Sequence, residues 1–349
     1  MAATGDGAAA SGAVGPGARS NARGERALAC GRAARIRPRE RFFVFEGVRY
    51  RFLAWEASAA AGAVGDPAAS GACDAGAGGA HRRSAAAPVV LVHGFAQRAD
   101  SWGDVARDVA VRTGRTVYAL DLVGHGGSDR PVSVAPYALA AQGRTLAAFA
   151  RRVGCGGPVP IVGYSMGGRV ALSACEADAG AFSAVVLESA GLGPESEADR
   201  AAFSKRNREW AARMRAEGVE AFMDWWERLP LFATQQTLPP GARSALRAER
   251  LANDAEALAR ALELAGAHAM PLASEAIAVL RAFAAGGKPV CYLAGAKDAK
   301  YAAVAETLRT AFADLPAARV VVVGGTGHNV HLEQPEAFVR KIESTFSAG

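Results

Sequence analysis

Apolar and polar positions follow two alternating patterns along most of the chain. Two strand-like segments at 41–55 turn at Glu46 and Gly47, and short apolar runs then recur with amphipathic stretches between them. The runs are PVVLVHG (88–94), TVYALDL (116–122), VPIVGY (159–164), SAVVLES (183–189), KPVCYLAG (288–295) and ARVVVVGG (318–325). Short apolar runs separated by helices predict an α/β fold, with a mostly parallel central sheet flanked by helices on both faces.

The alternation is interrupted once. From Pro194 to about Ala285 the chain has a helical, charged and aromatic pattern with no strand-like run, and the alternation resumes at KPVCYLAG. The sequence therefore predicts a helical cap at residues 194–285, inserted after the sixth strand.

Two segments have too few large apolar residues to order themselves. Residues 1–40, rich in Ala, Gly and Arg, are predicted to be a disordered tail before one domain at 41–349. Residues 57–87 are predicted to be a low-complexity loop of a long exposed hairpin, an insertion that costs little stability because closure entropy grows slowly with length. We assign no function to either segment.

Charge and cysteine content narrow the class of partner. Residues 1–41 hold eight arginines and three acids and so carry most of the net charge of +6, which leaves a nearly neutral body. We therefore expect no nucleic-acid partner. No apolar run reaches the length of a membrane span, and the tail lacks the apolar region of a secretory signal. The five scattered cysteines match no metal spacing, so we expect a cytoplasmic protein with free thiols, no metal and no cofactor.

A serine-centred motif stands at the junction of a strand and a helix. The segment PVPIVGYSMGGRVAL (158–172) reads as strand, then G-Y-S-M-G, then helix. This is the context of a nucleophile elbow, in which small residues such as Gly163 and Gly167 let strand and helix approach and Ser165 points out at the carboxyl edge of the sheet. The motif in this context predicts an α/β-hydrolase fold.

Partners for the serine occur in the chain order that this fold uses. Asp298 follows CYLAG and His328 follows RVVVVGG, so both are expected at the carboxyl ends of strands. His328 would accept the proton of Ser165, and Asp298 would orient the imidazole. His331 is a competing candidate for the base, and a helix N-cap is the alternative role for Asp298.

Backbone groups complete the predicted chemistry. The N–H groups of Phe95 and Met166 are the expected oxyanion hole, and His93, Asp121 and His125 are expected to be structural.

Arg169 lies four residues after the predicted nucleophile, on the first turn of its helix. A planar guanidinium at this place suits a substrate that bears a carboxylate, whereas a neutral ester gives no reason for it. The alternative is a surface arginine that pairs with a nearby acid.

Several segments together resemble a known enzyme family. GYSMGGRVAL, FMDWWERLPLFATQQTLP (222–239), GAKDAKY (295–301) and GHNVHLEQP (327–335) resemble, in this order, the 2-succinyl-6-hydroxy-2,4-cyclohexadiene-1-carboxylate synthases of menaquinone biosynthesis. The resemblance covers roughly residues 88–346. The elbow is common to the whole superfamily, whereas the arginine after it, the cap segment and GHNxHxExP are more specific.

The resemblance implies a carbon–oxygen lyase rather than a hydrolase. It implies that the triad removes a proton from the cyclohexene ring of 2-succinyl-5-enolpyruvyl-6-hydroxy-3-cyclohexene-1-carboxylate and that pyruvate is eliminated. It leaves open whether Ser165 or His328 takes that proton directly. It also implies that four residues bind this small polycarboxylate, namely Arg169, Arg250, Trp225 and Tyr164. The alternative function is a serine hydrolase of a carboxylate-bearing ester or C–C bond substrate.

One position departs from the family. The family has a further arginine early in the cap, and the aligned position here is Phe203. The neighbouring cations Arg200, Lys205 and Arg206 are the candidates to supply the missing charge.

Overall fold

The computed structural model describes residues 36–56 and 86–346. The predicted loop therefore lies almost wholly outside the described residues, as does most of the predicted tail. The strands are β1 Arg39–Phe45, β2 Val48–Trp55, β3 Val89–Val92, β4 Val117–Leu120, β5 Val159–Tyr164, β6 Phe182–Glu188, β7 Val290–Gly295 and β8 Ala318–Val323.

Helices separate the strands from β3 onward. They are α1 Gly103–Thr113, α2 Leu139–Val153, α3 Met166–Ala177, α4 Glu197–Trp226, α5 Pro240–Leu251, α6 Ala255–Leu264, α7 Ala273–Ala285, α8 Ala299–Ala311, α9 Val330–Glu333 and α10 Pro335–Phe346. Each of the strands and sheet-covering helices predicted from the apolar pattern is present, within three residues of the expected ends.

The eight strands form one sheet in the order β1-β2-β4-β3-β5-β6-β7-β8. Strand β2 pairs antiparallel with both of its neighbours, and every pairing from β4 to β8 is parallel. This confirms the predicted mostly parallel sheet. The hairpin predicted around 57–87 is wrong, because β4 lies between β2 and β3 and the two strands do not pair.

Two apolar layers cover the sheet, as the continuous apolar runs predict. Along β3, Val90 and Val92 contribute to a cluster with α2, α3, α7 and α8. The alternate residues Val89 and Leu91 contribute to a cluster with α1 and α10 on the opposite face. Strands buried on both faces consist almost wholly of apolar residues, which is why these runs were visible in the sequence.

The described chain between β6 and β7 contains helices joined by short turns and no strand. Helix α4 bends at Gly218, where φ is 79°, and it packs chiefly against α6 around Phe222 and Leu258. A 3₁₀ helix at Pro230–Thr237 joins it to α5. Helix α7 instead packs against α3, α8 and β7, so the last part of the predicted cap interval belongs to the helical layer of the sheet.

The predicted end of the tail at residue 40 is wrong. Strand β1 begins at Arg39, and Arg39 and Glu40 pair with Ala54 and Leu53 of β2. Ile36 is also buried, in the cluster of α1 and α10. The polar start of β1 hid its first two residues in the sequence, because an edge strand with one solvated face needs few apolar residues.

Within the described residues, no helix is long and apolar enough to cross a membrane. In the same part of the chain, no group of three or more His, Cys, Asp or Glu side chains converges as a metal site.

A truncation tests the corrected boundary. A chain that starts at Ile36 is expected to keep the kcat and Tm of the full chain, because every described element remains. A chain that starts at Arg41 loses two β1–β2 pairs, buried Ile36 and the 2.6 Å ion pair between Glu40 and Arg51. We expect its Tm to fall by about 2–4 °C for each kcal/mol lost. Thermal unfolding of both chains is the measurement, and equal Tm values would contradict the boundary at Ile36.

Candidate active site

The predicted elbow is formed by a strained serine between β5 and α3. Ser165 has φ 51° and ψ −108°, a conformation that costs an ordinary L-residue free energy and persists only where neighbours hold it. A Cβ on Gly163 would lie 2.6 Å from the Gly167 carbonyl oxygen, and one on Gly167 would lie 2.3 Å from the Val92 oxygen. The glycines are therefore needed because strand and helix backbones touch here.

Three side chains predicted from separate loops meet at this elbow. His328 Nε2 lies 3.0 Å from Ser165 Oγ, and His328 Nδ1 lies 2.7 Å from Asp298 Oδ2. Asp298 and His328 are both buried, whereas Ser165 is partly exposed. The arrangement has the geometry of a serine–histidine–aspartate triad.

Asp298 has both of the roles that the sequence left as alternatives. While Oδ2 faces the imidazole, Oδ1 accepts a hydrogen bond of 3.2 Å from the Tyr301 backbone N–H and caps α8. This N-cap hydrogen bond fixes the orientation of the carboxylate, so the second oxygen is aimed at His328.

His331, the competing candidate for the base, is engaged elsewhere. Its Nδ1 lies 2.6 Å from Glu188 Oε2, and its backbone N–H donates to Glu188 Oε1 at 2.9 Å. Its ring stacks on Trp102 at 4.0 Å, and both rings are buried. Glu188 ends β6 and also accepts the Ser165 N–H on its carbonyl oxygen at 2.9 Å. No feature of the sequence indicates that this glutamate contacts the site.

The loop residues expected to be structural have structural contacts. His93 accepts a hydrogen bond from the Leu122 N–H at 3.0 Å, and burial lowers its pKa to about 4. Burial also lowers the pKa of His125 to about 3, so both imidazoles are neutral near pH 7. Asp121 accepts hydrogen bonds from the Ala99 and Gly127 N–H groups and from Arg51.

A cavity of about 500 Å³ opens in front of Ser165 and His328. The sheet edge contributes Phe95, Tyr164, Met166 and Arg169 to its wall. The helices between β6 and β7 contribute the opposite wall, with Phe203, Arg206, Trp210, Trp226, Phe232 and Arg250. The cavity is therefore largely apolar and aromatic with cationic groups set into it, which suits an organic anion.

Two guanidinium groups in this wall have no carboxylate partner among the described residues. Arg169 donates from Nε to the Ala265 carbonyl oxygen at 3.2 Å, which leaves its remaining N–H groups available. Arg206 stacks on Phe203 and Trp210, with ring-centroid distances of 5.0 and 4.7 Å. Desolvation lowers the pKa of each arginine, so each would gain from a bound anion.

Arg250 is in the wall but is already neutralised. It is buried, and it donates to Glu227 at 3.0 Å and to Gln235 Oε1 at 2.8 Å. Glu227 is shared with Arg247. Arg250 is thus paired with a carboxylate, unlike Arg169 and Arg206. The sequence did not indicate this difference.

The three cations near Phe203 differ in whether they face the cavity. Arg200 donates to the carbonyl oxygens of His268 and Met270, and Lys205 is exposed, 4.0 Å from Glu209. Arg206 alone of the three lies in the cavity wall, one helical turn after Phe203.

The assignment of Trp225 to the pocket is wrong. Trp226 lies in the cavity wall, with its ring 5.3 Å from Phe95, whereas Trp225 packs against Trp210 and Arg213 outside that wall. Consecutive residues of a helix point about 100° apart, so only one of the two tryptophans can face the cavity. The other predicted binding residue of this set, Tyr164, does line the cavity.

The fold and the arrangement of Ser165, His328 and Asp298 are those of an enzyme of the α/β-hydrolase type, and the comparisons with known proteins agree on this class. The model of the alpha/beta hydrolase family matches residues 89–341. A 2-succinyl-6-hydroxy-2,4-cyclohexadiene-1-carboxylate synthase of Salmonella agona (strain SL483) is 34% identical over 254 residues, which are 72% of this chain and 90% of the relative. A Bacillus subtilis (strain 168) protein, named provisionally for the same synthase, is 32% identical over 75% of this chain and 91% of its own length.

Two solved structures are also similar to this chain in fold. The structure of MenH from S. aureus has a TM-score of 0.67 and 25% identity, and the match covers 76% of this chain and 95% of that one. A thermophilic esterase from Thermogutta terrifontis has a TM-score of 0.64 at 22% identity over 88% of this chain and 97% of its own, a likeness of fold alone. The chain belongs to the α/β-hydrolase family and, within it, to the 2-succinyl-6-hydroxy-2,4-cyclohexadiene-1-carboxylate synthases.

The elbow contact gives a stability prediction. Gly167→Ala would place a Cβ against the backbone oxygens of Val92 and His93, which cannot move without disrupting β3. We expect the free energy of unfolding to fall by roughly 1–3 kcal/mol or more, as for overpacked sites. The matched control is Gly241→Ala in α5, where nothing lies within 4 Å and stability should be unchanged or slightly raised. Denaturant unfolding measures both, and equal losses would contradict the close approach at the elbow.

Proposed function

We propose that this chain eliminates pyruvate from 2-succinyl-5-enolpyruvyl-6-hydroxy-3-cyclohexene-1-carboxylate to give 2-succinyl-6-hydroxy-2,4-cyclohexadiene-1-carboxylate. The observation that carries the proposal is a serine–histidine–aspartate relay facing a cavity that contains two guanidinium groups without carboxylate partners among the described residues. The substrate bears three carboxylates, so cations beside the relay match its charge.

The substrate has an acidic proton within reach of such a base. Its ring carbon 2 carries the succinyl ketone and is also allylic, so removal of its proton gives a conjugated enolate. Ser165 is the group of the relay that is partly exposed and lines the cavity, while His328 Nε2 is 3.0 Å from its hydroxyl. In the proposed mechanism, Ser165 passes its proton to His328 and takes the proton from ring carbon 2.

Elimination then proceeds through the enolate. Negative charge on the ketone oxygen is stabilised by the proposed oxyanion hole, the backbone N–H groups of Phe95 and Met166, which both line the cavity. As the enolate collapses, the ring double bonds move to positions 2 and 4 and the C5–O bond breaks. The leaving group departs as the enolate of pyruvate and becomes pyruvate by taking up one proton, which balances the proton that His328 gained and returns the triad to its starting state; no water is consumed.

Cations would hold the carboxylates during this step. Arg169 stands beside the elbow, and Arg206 stands on α4 across the cavity, with Lys300 also in the wall. Glu195 and Asp199 line the same cavity, so the wall is not uniformly positive. We assign Arg250 to holding this wall in place, because Glu227 already balances its charge.

The alternative is hydrolysis of a carboxylate-bearing ester or C–C bond substrate by the same relay. It needs a water placed to attack an acyl-enzyme or a ketone. The two reactions differ in product, because only the elimination yields pyruvate together with a conjugated diene.

Turnover tests the proposal directly. We expect wild-type protein, mixed with enzymatically generated substrate, to release pyruvate at the same rate as the diene absorbance appears. Ser165→Ala and His328→Ala should each lower kcat by roughly 10³-fold or more, because each removes a member of the relay. Pyruvate release no faster than the spontaneous reaction would refute the lyase, and an ester and diketone screen would then test the hydrolase.

The carboxylate-binding role of the cap has a separate test. Arg206→Ala should lower kcat/KM by about 30- to 1000-fold, the effect of about 2–4 kcal/mol, because a substrate carboxylate would be left without its partner. Arg208→Ala is the matched control, since Arg208 lies exposed on the same helix, outside the cavity wall, and hydrogen-bonds Ser204 at 2.7 Å. Steady-state kinetics that are equal for the two variants would remove Arg206 from substrate binding.

A further inference from the structure

The loop after β3 contains a strained residue beside the proposed oxyanion donor. Ala96 has φ 58°, in the left-handed region, and its side chain is completely buried. The Gln97 N–H donates to the Gly94 carbonyl oxygen at 3.2 Å and closes a turn around Phe95 and Ala96. An alanine rarely adopts this region, because its Cβ lies too close to the carbonyl oxygen that follows, so surrounding contacts must hold it.

Those contacts come from the helices between β6 and β7. Asn253, which follows α5, donates from Nδ2 to the Ala96 carbonyl oxygen at 3.0 Å. The same Nδ2 lies 3.0 and 3.1 Å from the carbonyl oxygens of Glu249 and Arg250, so the amide ties the end of α5 to the loop. The Ala96 methyl also packs in the apolar cluster of Phe222 and Leu258.

A buried carbonyl needs a donor, and rotation of the Ala96 backbone would move its neighbour. The Gly94 carbonyl belongs to the same planar peptide group as the Phe95 N–H, and it accepts the Gln97 N–H of this turn, so the direction of the Phe95 N–H is linked to the conformation at Ala96. Asn253 itself does not line the cavity. Its contacts therefore suit it to orient the loop rather than to bind substrate.

We propose that Asn253 is a positioning residue that sets the oxyanion hole from the cap. When the end of α5 is docked on the loop, the Phe95 N–H points into the site; when that contact is lost, the Ala96 strain is released and the N–H turns away. This inference rests on the proposed function in one respect, the use of an oxyanion hole for the enolate.

The first measurement is the kinetics of pyruvate release by two variants. Asn253→Asp keeps the shape of the side chain but removes its donor hydrogens, and Asn253→Ala removes the group. We expect kcat to fall by about 10- to 100-fold in both, somewhat less than for loss of an oxyanion donor, with KM changed by no more than about twofold. An unchanged kcat, or a rise in KM alone, would overturn the proposal.

The matched control is Ser101→Ala. It removes the other hydrogen bond between α5 and this region, 2.6 Å from Ser101 Oγ to Glu249 Oε2, without touching the Ala96 carbonyl. We expect wild-type kcat from this variant. A loss as large as that in the Asn253 variants would mean that general docking of the cap matters, and would overturn the specific role of Asn253.

A second readout does not depend on the lyase substrate. A fluorophosphonate labels a triad serine with help from the oxyanion hole, and its rate with wild type, absent in Ser165→Ala, is the baseline. We expect both Asn253 variants to label about tenfold or more slowly while their Tm stays within a few degrees of wild type. If the wild type releases no pyruvate and the Asn253 variants still label more slowly than the wild type, the proposed function is refuted and this inference is supported. Equal labelling rates would overturn the inference whatever the turnover shows.

Discussion

The close approach of β5 and α3 at Ser165 is the constraint on which the rest of the site depends. Helix α3 can lie against β5 because Gly163 lacks a Cβ and against the end of β3 because Gly167 lacks one, and Ser165 has φ 51° in the sharp turn between β5 and α3. Glu188 secures the strained turn, since its carbonyl accepts the Ser165 N–H and its carboxylate holds His331, three residues after His328. One buried glutamate thus connects Ser165 with the loop that carries His328.

Neutral and charged groups are segregated around this point. Burial lowers the pKa of His93 and of His125, so the loops under the site carry no charge on these rings near pH 7. On the cavity side, Arg169 and Arg206 are partly desolvated and unmatched by a carboxylate among the described residues. Desolvated cations bind an anion more strongly than hydrated ones. The partial desolvation of these two arginines, which is unfavourable in the free protein, therefore favours binding of the proposed polycarboxylate.

Features that depend on the local backbone conformation could be predicted from the sequence, whereas features that depend on packing between distant segments could not. The elbow, Asp298 and His328 follow from strand ends and small residues, so the triad geometry could be anticipated. Strand β1 began earlier than expected because its outer face is polar, and the pairing of β2 with β4 depends on contacts across the chain. Trp226 differs from Trp225 only in the direction that it leaves α4, which composition does not encode.

The sheet and the cap contribute different residues to the site. The triad and the elbow stand on the sheet, where their geometry depends on β5, β7 and β8, whereas Arg206 and Trp226 stand on the opposite wall. Several hydrogen bonds join these two parts: among them, Arg169 donates to the Ala265 carbonyl oxygen, and Asn253 donates to that of Ala96. Substitutions in the cap can therefore alter which anion is accepted while the relay stays intact. Because Asn253 of the same cap also bonds the strained loop beside Phe95, the proposed mechanism predicts that selection of the anion and stabilisation of the enolate depend on each other.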